Sequence, residues 1–457
     1  MTNNRVHFIA IGGSAMHNLA IALHLKGYNV TGSDDEIFDP ARTRLDSYGL
    51  LPAQFGWFPE KLDHSIDSII LGMHARGDNP ELAKAKELGL KIYSYPEFLY
   101  EQSKDKLRVV IGGSHGKTSI TAMILHVLHQ CNVDTDYMVG AKLEGFDVMV
   151  RLTQAAKVMV FEGDEYLTSA LDLRPKFHLY KPDIELVSGI AWDHMNVFPT
   201  FENYSEQFRI FMNMVPDSGA LIYCKEDSEV LKTVSSVKGK MKKLPYGVPL
   251  HSVSNGKTTL STSEGEIPLM IFGQHNLMNL EGARLVCNQL NISNSDFYKA
   301  ISTFKGASNR LELIAEKPGF NAYRDFAHAP SKLKATIQAV KEQFPYRRLV
   351  ACFELHTFSS LNKDFLDQYA DSMEKADEAI VYFSPHALEL KKLPMLSPED
   401  IKHSFRKEGL RVFSDTRQFQ EFLIKEKWEN SNLLLMSSGN YDGLQVKEFV
   451  EKLGSKE

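Results

Sequence analysis

Several features that would place this protein in a specialised class are missing from its sequence. No stretch approaches the roughly 20 consecutive apolar residues of a membrane-spanning helix, and the N-terminus enters an apolar strand without a basic region and cleavage site. Lys and Arg form no long block and the formal net charge is -6, so neither nucleic acid nor a membrane is expected as a partner. The cysteines lie too far apart in sequence for a CxxC metal pair or a small disulfide framework. We therefore expect a cytoplasmic protein with reduced thiols.

The length of the chain and its apolar segments predict three α/β domains. A chain of 457 residues exceeds one ordinary hydrophobic core. Short apolar runs alternate with helical patterns in the first hundred residues, and the series restarts at the apolar strand 109–113 and again near Arg310. The range 244–272 alternates apolar residues with Gly, Ser and Thr, which predicts hairpins. The predicted domains are 1–105, 106–309 and 310–457.

The strongest chemical signal is a glycine-rich turn between a predicted strand and a predicted helix. Its candidate phosphate ligands are Gly113, Ser114, His115, Gly116, Lys117, Thr118 and Ser119. Main-chain N–H groups of such a turn point at phosphate oxygens, the Lys117 ammonium can neutralise phosphates, and the Thr118 hydroxyl can bind Mg²⁺. Ile111 stands where the full Walker pattern has glycine, so this is the shorter GxxGKT form. The turn predicts nucleotide binding.

A second Gly-Lys-Thr sequence, at 256–258, has a different context. Alternating strand-like residues surround it and no helical pattern follows. This copy predicts a hairpin turn and no phosphate site.

Acidic residues and a histidine follow two more predicted strands of the central domain. Glu162 ends the apolar run 157–162, and Asp193 with His194 follows the strand at 185–191. The carboxyl ends of parallel strands share one edge of the sheet, where ligands bind. Glu162 is therefore the favoured Mg²⁺ ligand and His194 a second contact to the cation or a phosphate. The alternatives are an ordinary acidic loop and a structural histidine.

A weaker glycine signal lies near the N-terminus. The segment 10–15, Ala-Ile-Gly-Gly-Ser-Ala, separates a predicted strand from a helix, and Asp34 ends the next strand. This pattern resembles the fingerprint of a dinucleotide-binding site. It leaves three alternatives open: NAD(P), the diphosphate of a nucleotide sugar, and a tight turn without a ligand.

Six motifs, taken in chain order, resemble those of the Mur ligase family. They are GGSHGKTS at 112–119, FEGDE at 161–165, Asp193-His194, GQHNLMN at 273–279, NRLE at 309–312 and DFAHAP at 325–330. The resemblance implies an N-terminal Rossmann-like UDP-binding domain, a central P-loop ATPase domain with a mixed sheet, and a C-terminal Rossmann-like ligase domain. It also implies an ATP-dependent carboxylate-amine ligase of peptidoglycan synthesis, with ATP and Mg²⁺ as cofactors and small molecules as its other partners.

The resemblance also implies roles for individual residues. The implied catalytic residues are Lys117, His194 and Arg310, and the implied metal ligands are Thr118, Glu162 and His194. The residues implied to bind ATP beyond the phosphate loop are His275 and Asn276 at the adenine, Asp325 at the ribose, Asn279 and Arg310. The implied UDP-sugar contacts are Gly12, Gly13, Ser14, Ala15, Met16, Ser33, Asp34, His74 and Arg76, and the implied peptide contacts are His328, Glu354 and His356.

Two branches of the family use UDP-N-acetylmuramate itself. The opening HFIAIGGSAM and the spacing of TGSD resemble the enzymes of these two branches. One branch adds L-alanine and the other reattaches the recycled tripeptide L-Ala-γ-D-Glu-meso-diaminopimelate. The segments 73–81 and 171–177 resemble the tripeptide branch. We therefore expect the tripeptide as the amine, with L-alanine as the alternative.

The chain departs from the family pattern at several positions. Ala329 replaces the second His of a paired-His motif, Ala10 and Ala15 replace glycines, and 353–359 differs from the tripeptide branch. No lysine occurs between 181 and 225, where some relatives carry a carbamylated lysine, so a different second-metal arrangement is expected. Two other classes of function are an NAD-dependent oxidoreductase and a non-catalytic nucleotide-sugar sensor. The GKT loop argues against the first, and the retained motif residues argue against the second.

Overall fold

A computed structural model of the chain describes residues 4–453, apart from 74, 142, 144, 170–171 and 193–196. The chain divides into two compact units. The first comprises Met1–Gly247 and Asn279–Ala300, and the second comprises Val248–Met278 and Ile301–Glu457. Among the described helices, none is long and apolar enough to cross a bilayer.

The first unit begins with a four-stranded parallel sheet. Its strands are β1 (Arg5–Ile9), β2 (Asn29–Ser33), β3 (Ser68–Leu71) and β4 (Ile92–Ser94), and its helices are α1 (Ser14–Leu25), α2 (Ala41–Ser47), α3 (Pro80–Glu87) and α4 (Tyr95–Ser103), with a 3₁₀ turn at Pro59–Lys61. The strand order is β2-β1-β3-β4. Phe8 and Ile9 of β1 point to opposite faces and both are fully buried. The sheet is thus covered on both faces at β1, as in Rossmann-like folds.

A seven-stranded sheet makes up the rest of this unit. Its strands are β5 (Leu107–Gly112), β6 (Thr135–Met138), β7 (Val150–Arg151), β8 (Val158–Glu162), β9 (Ile184–Val187), β10 (Ala220–Cys224) and β11 (Lys242–Tyr246). The accompanying helices are α5 (Lys117–Gln130), α6 (Lys176–Leu179), α7 (Phe201–Met212), α8 (Ser228–Ser236), α9 (Gln274–Gln289, which begins in the second unit) and α10 (Asn294–Ile301).

The order of this sheet determines which loops come together. The order is β11-β10-β9-β5-β8-β6-β7, and every pair is parallel except β6 with β7. The predicted mixed sheet is therefore confirmed. Because β8 and β9 flank β5, their carboxyl ends lie beside the glycine-rich turn that follows β5.

The second unit contains the predicted hairpins and a six-stranded sheet. The hairpin strands are β12 (His251–Ser254), β13 (Lys257–Thr262) and β14 (Gly265–Leu269). Asn255 and Gly256 connect the first two with φ values of 51° and 73°, which is the backbone of a type I′ turn. The prediction that this Gly-Lys-Thr copy forms a hairpin is confirmed.

The six-stranded sheet has one antiparallel edge. Its strands are β15 (Glu312–Lys317), β16 (Phe320–Asp325), β17 (Arg348–Leu355), β18 (Glu378–Phe383), β19 (Arg411–Phe413) and β20 (Ser431–Met436), in the order β15-β16-β20-β17-β18-β19. Its helices are α11 (Pro330–Gln343), α12 (Phe358–Leu361), α13 (Pro385–Leu390), α14 (Pro398–Phe405), α15 (Thr416–Lys425) and α16 (Val446–Glu451), with a 3₁₀ helix at Lys363–Tyr369. Only β15 runs antiparallel to its neighbour. Every residue of β20 is buried, so both faces of this sheet carry a core.

Candidate active site

The glycine-rich turn connects β5 to α5, as its sequence predicts. Gly113 and Gly116 have φ values of 129° and 76°, in the region that favours glycine. A Cβ atom at Gly113 would collide with the Ser188 hydroxyl, and one at Gly116 with the Asn279 side-chain amide. Both glycines are therefore required by conformation and by space, and they bring main-chain N–H groups to the N-terminal end of a 14-residue helix.

The Lys117 ammonium lies inside this turn. It donates to the Gly113 carbonyl oxygen at 2.6 Å and to Glu165 Oε2 at 2.6 Å. Burial alone would lower the pKa of Lys117, but the negative charges of Glu165, Asp164 and Glu162 outweigh burial and raise it. The Lys117 side chain thus carries a positive charge at the N-terminus of α5.

Thr118 and Glu162 come together next to Lys117. The Thr118 hydroxyl donates to Glu162 Oε1 at 2.6 Å, and Glu162 Oε2 accepts the Gly140 N–H at 2.9 Å. Hydroxyl and carboxylate oxygens are the donors that Mg²⁺ takes in nucleotide sites, so the pair fits the ion that the sequence predicts. Within the described ranges, no group of three or more His, Cys, Asp or Glu side chains is arranged to hold a metal ion. His194, the other predicted metal ligand, and Asp193 lie outside the described residues.

Ser114 links the turn to the chain that follows β9. Its hydroxyl accepts the Ala191 N–H at 2.8 Å and lies 2.8 Å from the Tyr204 hydroxyl, while its N–H donates to the Gly189 oxygen at 2.9 Å. The His115 carbonyl accepts the Ser188 hydroxyl. The loop after β9 is therefore held against the glycine-rich turn.

Two residues of this site were not assigned a role from the sequence. Glu165 belongs to the acidic run 161–165, of which only Glu162 received a role, and Tyr204 lies on α7. Tyr204 also lies 3.5 Å from Glu165 Oε1. The acidic run was a usable signal for Glu165, whereas nothing in the local sequence distinguishes Tyr204 from other aromatic residues.

The predicted adenine contacts lie on α9. The Asn276 amide donates to the Phe272 oxygen at 3.0 Å, and burial lowers the pKa of His275 to about 4. His275 is therefore neutral at physiological pH and can offer one donor and one acceptor. Asn279, one turn further along the helix, lies beside Gly116.

The N-terminal loop is organised around Asp34. The Gly12 N–H donates to Asp34 Oδ2 at 2.7 Å, and burial raises the pKa of this carboxyl to about 6. Ala10 has a φ of 67°, so it adopts the left-handed conformation that a glycine would adopt at lower cost.

The other predicted UDP-sugar contacts lie at the start of α1, at the end of β2 and after β3. Gly13 precedes α1, which begins with Ser14, Ala15 and Met16, and Ser33 is buried at the end of β2. Arg76 is exposed between β3 and α3. His74 lies outside the described residues.

Asp325 fixes the chain around Arg310 in the second unit. Its two oxygens accept the Leu311 N–H at 2.6 Å and the Ala327 N–H at 2.7 Å. Burial raises the pKa of Asp325, and the nearby Arg310 charge partly offsets this effect. The Arg310 guanidinium lies 4.6 Å from the centre of the Phe326 ring, a cation–π contact.

Two of the three predicted peptide contacts lie together at the end of β17. Glu354 is buried, and its Oε2 accepts the Tyr441 N–H at 2.8 Å and the Ser437 hydroxyl. His356 Nδ1 lies 3.7 Å from Glu354 Oε1. His328 Nδ1 lies 2.9 Å from the Phe326 oxygen. Glu354 and His356 thus form an acid and imidazole pair at the carboxyl edge of the sheet.

Three family models together match most of the chain. The Mur ligase family catalytic domain matches residues 5–106, the Mur ligase middle domain matches 111–287, and the Mur ligase glutamate ligase domain matches 309–439. A UDP-N-acetylmuramate--L-alanine ligase of Sulfurihydrogenibium sp. is 30% identical over 416 residues, which cover 90% of this chain and 88% of the relative.

Solved structures support the same fold. The alanine ligase MurC from Thermotoga maritima superposes with a TM-score of 0.70 at 19% identity, over 98% of each chain. The murein peptide ligase from Psychrobacter arcticus superposes with a TM-score of 0.65 at 22% identity, over 99% of each chain. The three family matches and the relative at 30% identity, which follow the chain nearly from end to end, establish that this protein belongs to the Mur ligases, the ATP-dependent amide-bond ligases of peptidoglycan synthesis.

Proposed function

We propose that this protein joins the carboxyl group of UDP-N-acetylmuramate to the amino group of L-alanine, using Mg-ATP and an acyl phosphate. The observation that carries this proposal is the likeness over 90% of the chain to a ligase named for L-alanine. Other alanine ligases are 28% identical over 95–98% of the chain. The segments 73–81 and 171–177 predicted the tripeptide, and these relatives favour the alternative instead. Because ATP and a nucleotide-activated sugar are its substrates, we place the reaction in the cytoplasm.

The tripeptide remains the second candidate because one local observation favours it. The segments 73–81 and 171–177 resemble the tripeptide branch, although His74 and Leu171 lie outside the described residues. The murein peptide ligase also shares the fold. Both candidates have the same sugar substrate and the same activation chemistry, so they differ only in the amine.

The activation step needs positive charge at the phosphates. A carboxylate is a poor electrophile, and transfer of a phosphoryl group to it creates an acyl phosphate with a good leaving group. We propose that the Lys117 ammonium and the main-chain N–H groups of the glycine-rich turn bind the ATP phosphates and stabilise their negative charge. Thr118 and Glu162 would hold Mg²⁺, which supplies charge neutralisation at the phosphates when bound. The resemblance implies that Arg310 also contacts these phosphates, and we assign it this role.

The remaining roles follow the chemistry of the side chains. The loop before α1 offers N–H groups and a helix N-terminus to the UDP diphosphate. The neutral His275 and the Asn276 amide offer hydrogen bonds to adenine. Glu354, paired with His356, offers a negative charge to the ammonium group of the incoming amine. This group must lose a proton before the neutral amine attacks the acyl phosphate and displaces inorganic phosphate.

Phosphate release identifies the amine directly. The protein is incubated with Mg-ATP, UDP-N-acetylmuramate and either L-alanine or L-Ala-γ-D-Glu-meso-diaminopimelate at equal concentrations. Release driven by L-alanine would support the proposal, and release driven only by the tripeptide would replace it with the second candidate. Without release for either amine, while ATP and the UDP-sugar still bind, the sensor hypothesis would replace both.

A further inference from the structure

We propose that Glu165 positions the Lys117 ammonium and makes nucleotide binding dependent on Mg²⁺. This inference rests on the proposed assignment of the ATP phosphates to the glycine-rich turn. It adds to that assignment a residue that acts through Lys117 and contributes negative charge where the nucleotide phosphates are expected.

The first support is the contact itself. Glu165 Oε2 lies 2.6 Å from Lys117 Nζ, and the Glu165 side chain is 2% exposed. The same ammonium donates to the Gly113 oxygen, so two of its three donors are directed into the protein. An ion pair so poorly exposed to water is screened far less than a surface pair.

The second support is the way in which Glu165 is held. The Tyr204 hydroxyl lies 3.5 Å from Glu165 Oε1 and 2.8 Å from the Ser114 hydroxyl. Tyr204 is fully buried on α7. The carboxylate therefore lies beside a buried hydroxyl on α7, and the same hydroxyl contacts Ser114 of the glycine-rich turn.

The consequence is competition for Lys117. A phosphate that approaches the ammonium also approaches the carboxylates of Glu165 and Glu162, and like charges brought together at a site of low dielectric repel strongly. Mg²⁺ offsets the charge of the nucleotide, so Mg-ATP meets less repulsion than metal-free ATP. Glu165 therefore weakens the binding of metal-free nucleotide more than the binding of Mg-ATP.

The test compares ATP affinity in excess MgCl₂ and in excess EDTA, by isothermal titration calorimetry on the full chain. Glu165→Gln preserves the shape and removes the charge. We expect it to strengthen metal-free ATP binding about tenfold, equivalent to about 1.4 kcal/mol, and to change Mg-ATP binding much less. Tyr204→Phe should shift the ratio of the two affinities in the same direction by a smaller factor, because it loosens the carboxylate without removing it.

Asp164→Asn is the matched control. It removes the same charge one residue away, but the Asp164 carboxylate is paired with Lys176 at 2.9 Å and accepts the Tyr166 N–H at 3.0 Å. The ratio should therefore move far less than in Glu165→Gln. Equal shifts in both variants would attribute the effect to general charge and overturn the proposal.

Two other results would overturn the proposal as well. An unchanged ratio in a folded Glu165→Gln variant would show that the carboxylate does not oppose the nucleotide, and weaker binding in both conditions would show that Glu165 supports it. Lys117→Met separates these results from failure of the phosphate assignment. If ATP affinity is unchanged in Lys117→Met, the nucleotide does not use this turn, whereas a loss there with no effect of Glu165→Gln rejects only the role of Glu165.

Discussion

Replacing Glu185 with methionine should stabilise the first unit. Glu185 lies on β9, in register with Val110 of β5 and Leu221 of β10. Its side chain is fully buried, and neither carboxyl oxygen has a hydrogen-bond partner among the described residues. Val110 and Leu221 belong to an apolar core cluster. The carboxyl group thus sits in apolar surroundings, where an unmade hydrogen bond is costly.

The size of the effect follows from that burial. A buried polar group without a partner costs about 1–3 kcal/mol, and methionine fills a similar volume without polar oxygens. We therefore expect Glu185→Met to raise the free energy of unfolding by about 1–3 kcal/mol. For a domain of about 150–250 residues, each kcal/mol raises the melting temperature by about 2–4 °C.

The gain should also depend on pH. Burial raises the pKa of Glu185 well above its usual value, so the unfolded chain loses this proton at lower pH than the folded chain. The wild-type protein therefore loses stability as pH rises from about 4.3, the usual pKa of glutamate, toward the folded-state pKa. The advantage of Glu185→Met should grow over this interval.

Urea unfolding and scanning fluorimetry measure both effects. The measurements are made at pH values about one unit apart, between about 5 and 8. Glu185→Gln is the matched control, because it removes the ionisable proton but keeps a buried polar group. It should abolish the pH-dependent part with a smaller gain. A loss of stability in Glu185→Met, or a gain independent of pH, would refute the reasoning and indicate that the carboxyl group has a favourable partner.

Three further predictions concern the site. Lys117→Met should lower turnover about 10²–10³-fold, by analogy with the loss of one transition-state donor, and a near-normal rate of phosphate release would contradict its role. Gly116→Ala should weaken ATP binding, and it should destabilise the protein more than Gly89→Ala does. Both glycines have a positive φ, but of the two only Gly116 lacks room for a Cβ atom. Equal effects of the two substitutions on unfolding would reject the steric explanation. Asp325→Asn should destabilise the protein by about 1–3 kcal/mol, because its single acceptor oxygen cannot serve both main-chain amides that Asp325 binds. Unchanged urea unfolding would contradict that explanation.

The local elements of this protein were predictable because each has a strong pattern of its own. The apolar run of β5, the glycine turn and the apolar periodicity of α5 follow one another without a break, and the predicted helix is present at Lys117–Gln130. The context of the second Gly-Lys-Thr copy was also sufficient, since alternation predicts strands and the missing helix excludes a phosphate loop.

The sequence predicted in part which site residues lie close together in space. Thr118 and Glu162 were expected near each other because both follow strands of one parallel sheet, and the structure joins them by a hydrogen bond of 2.6 Å. The segments 73–81 and 171–177 and the whole-chain similarity favour different amines. Those two segments favoured the tripeptide, whereas similarity over 90% of the chain favours L-alanine.

By itself the sequence determined the α/β class, the alternation of strands and helices, and the glycine-rich turn between β5 and α5, because periodicity and glycine conformation are properties of neighbouring residues. Only the tertiary structure decided that Lys117 pairs with Glu165, that Tyr204 lies beside this carboxylate, and that Glu185 is buried without a hydrogen-bond partner among the described residues. These outcomes depend on which strands and helices become neighbours. Residues 48 positions apart, such as Lys117 and Glu165, meet only after the sheet has formed, and the packing around a charged side chain then determines whether it is solvated, paired or left without a partner.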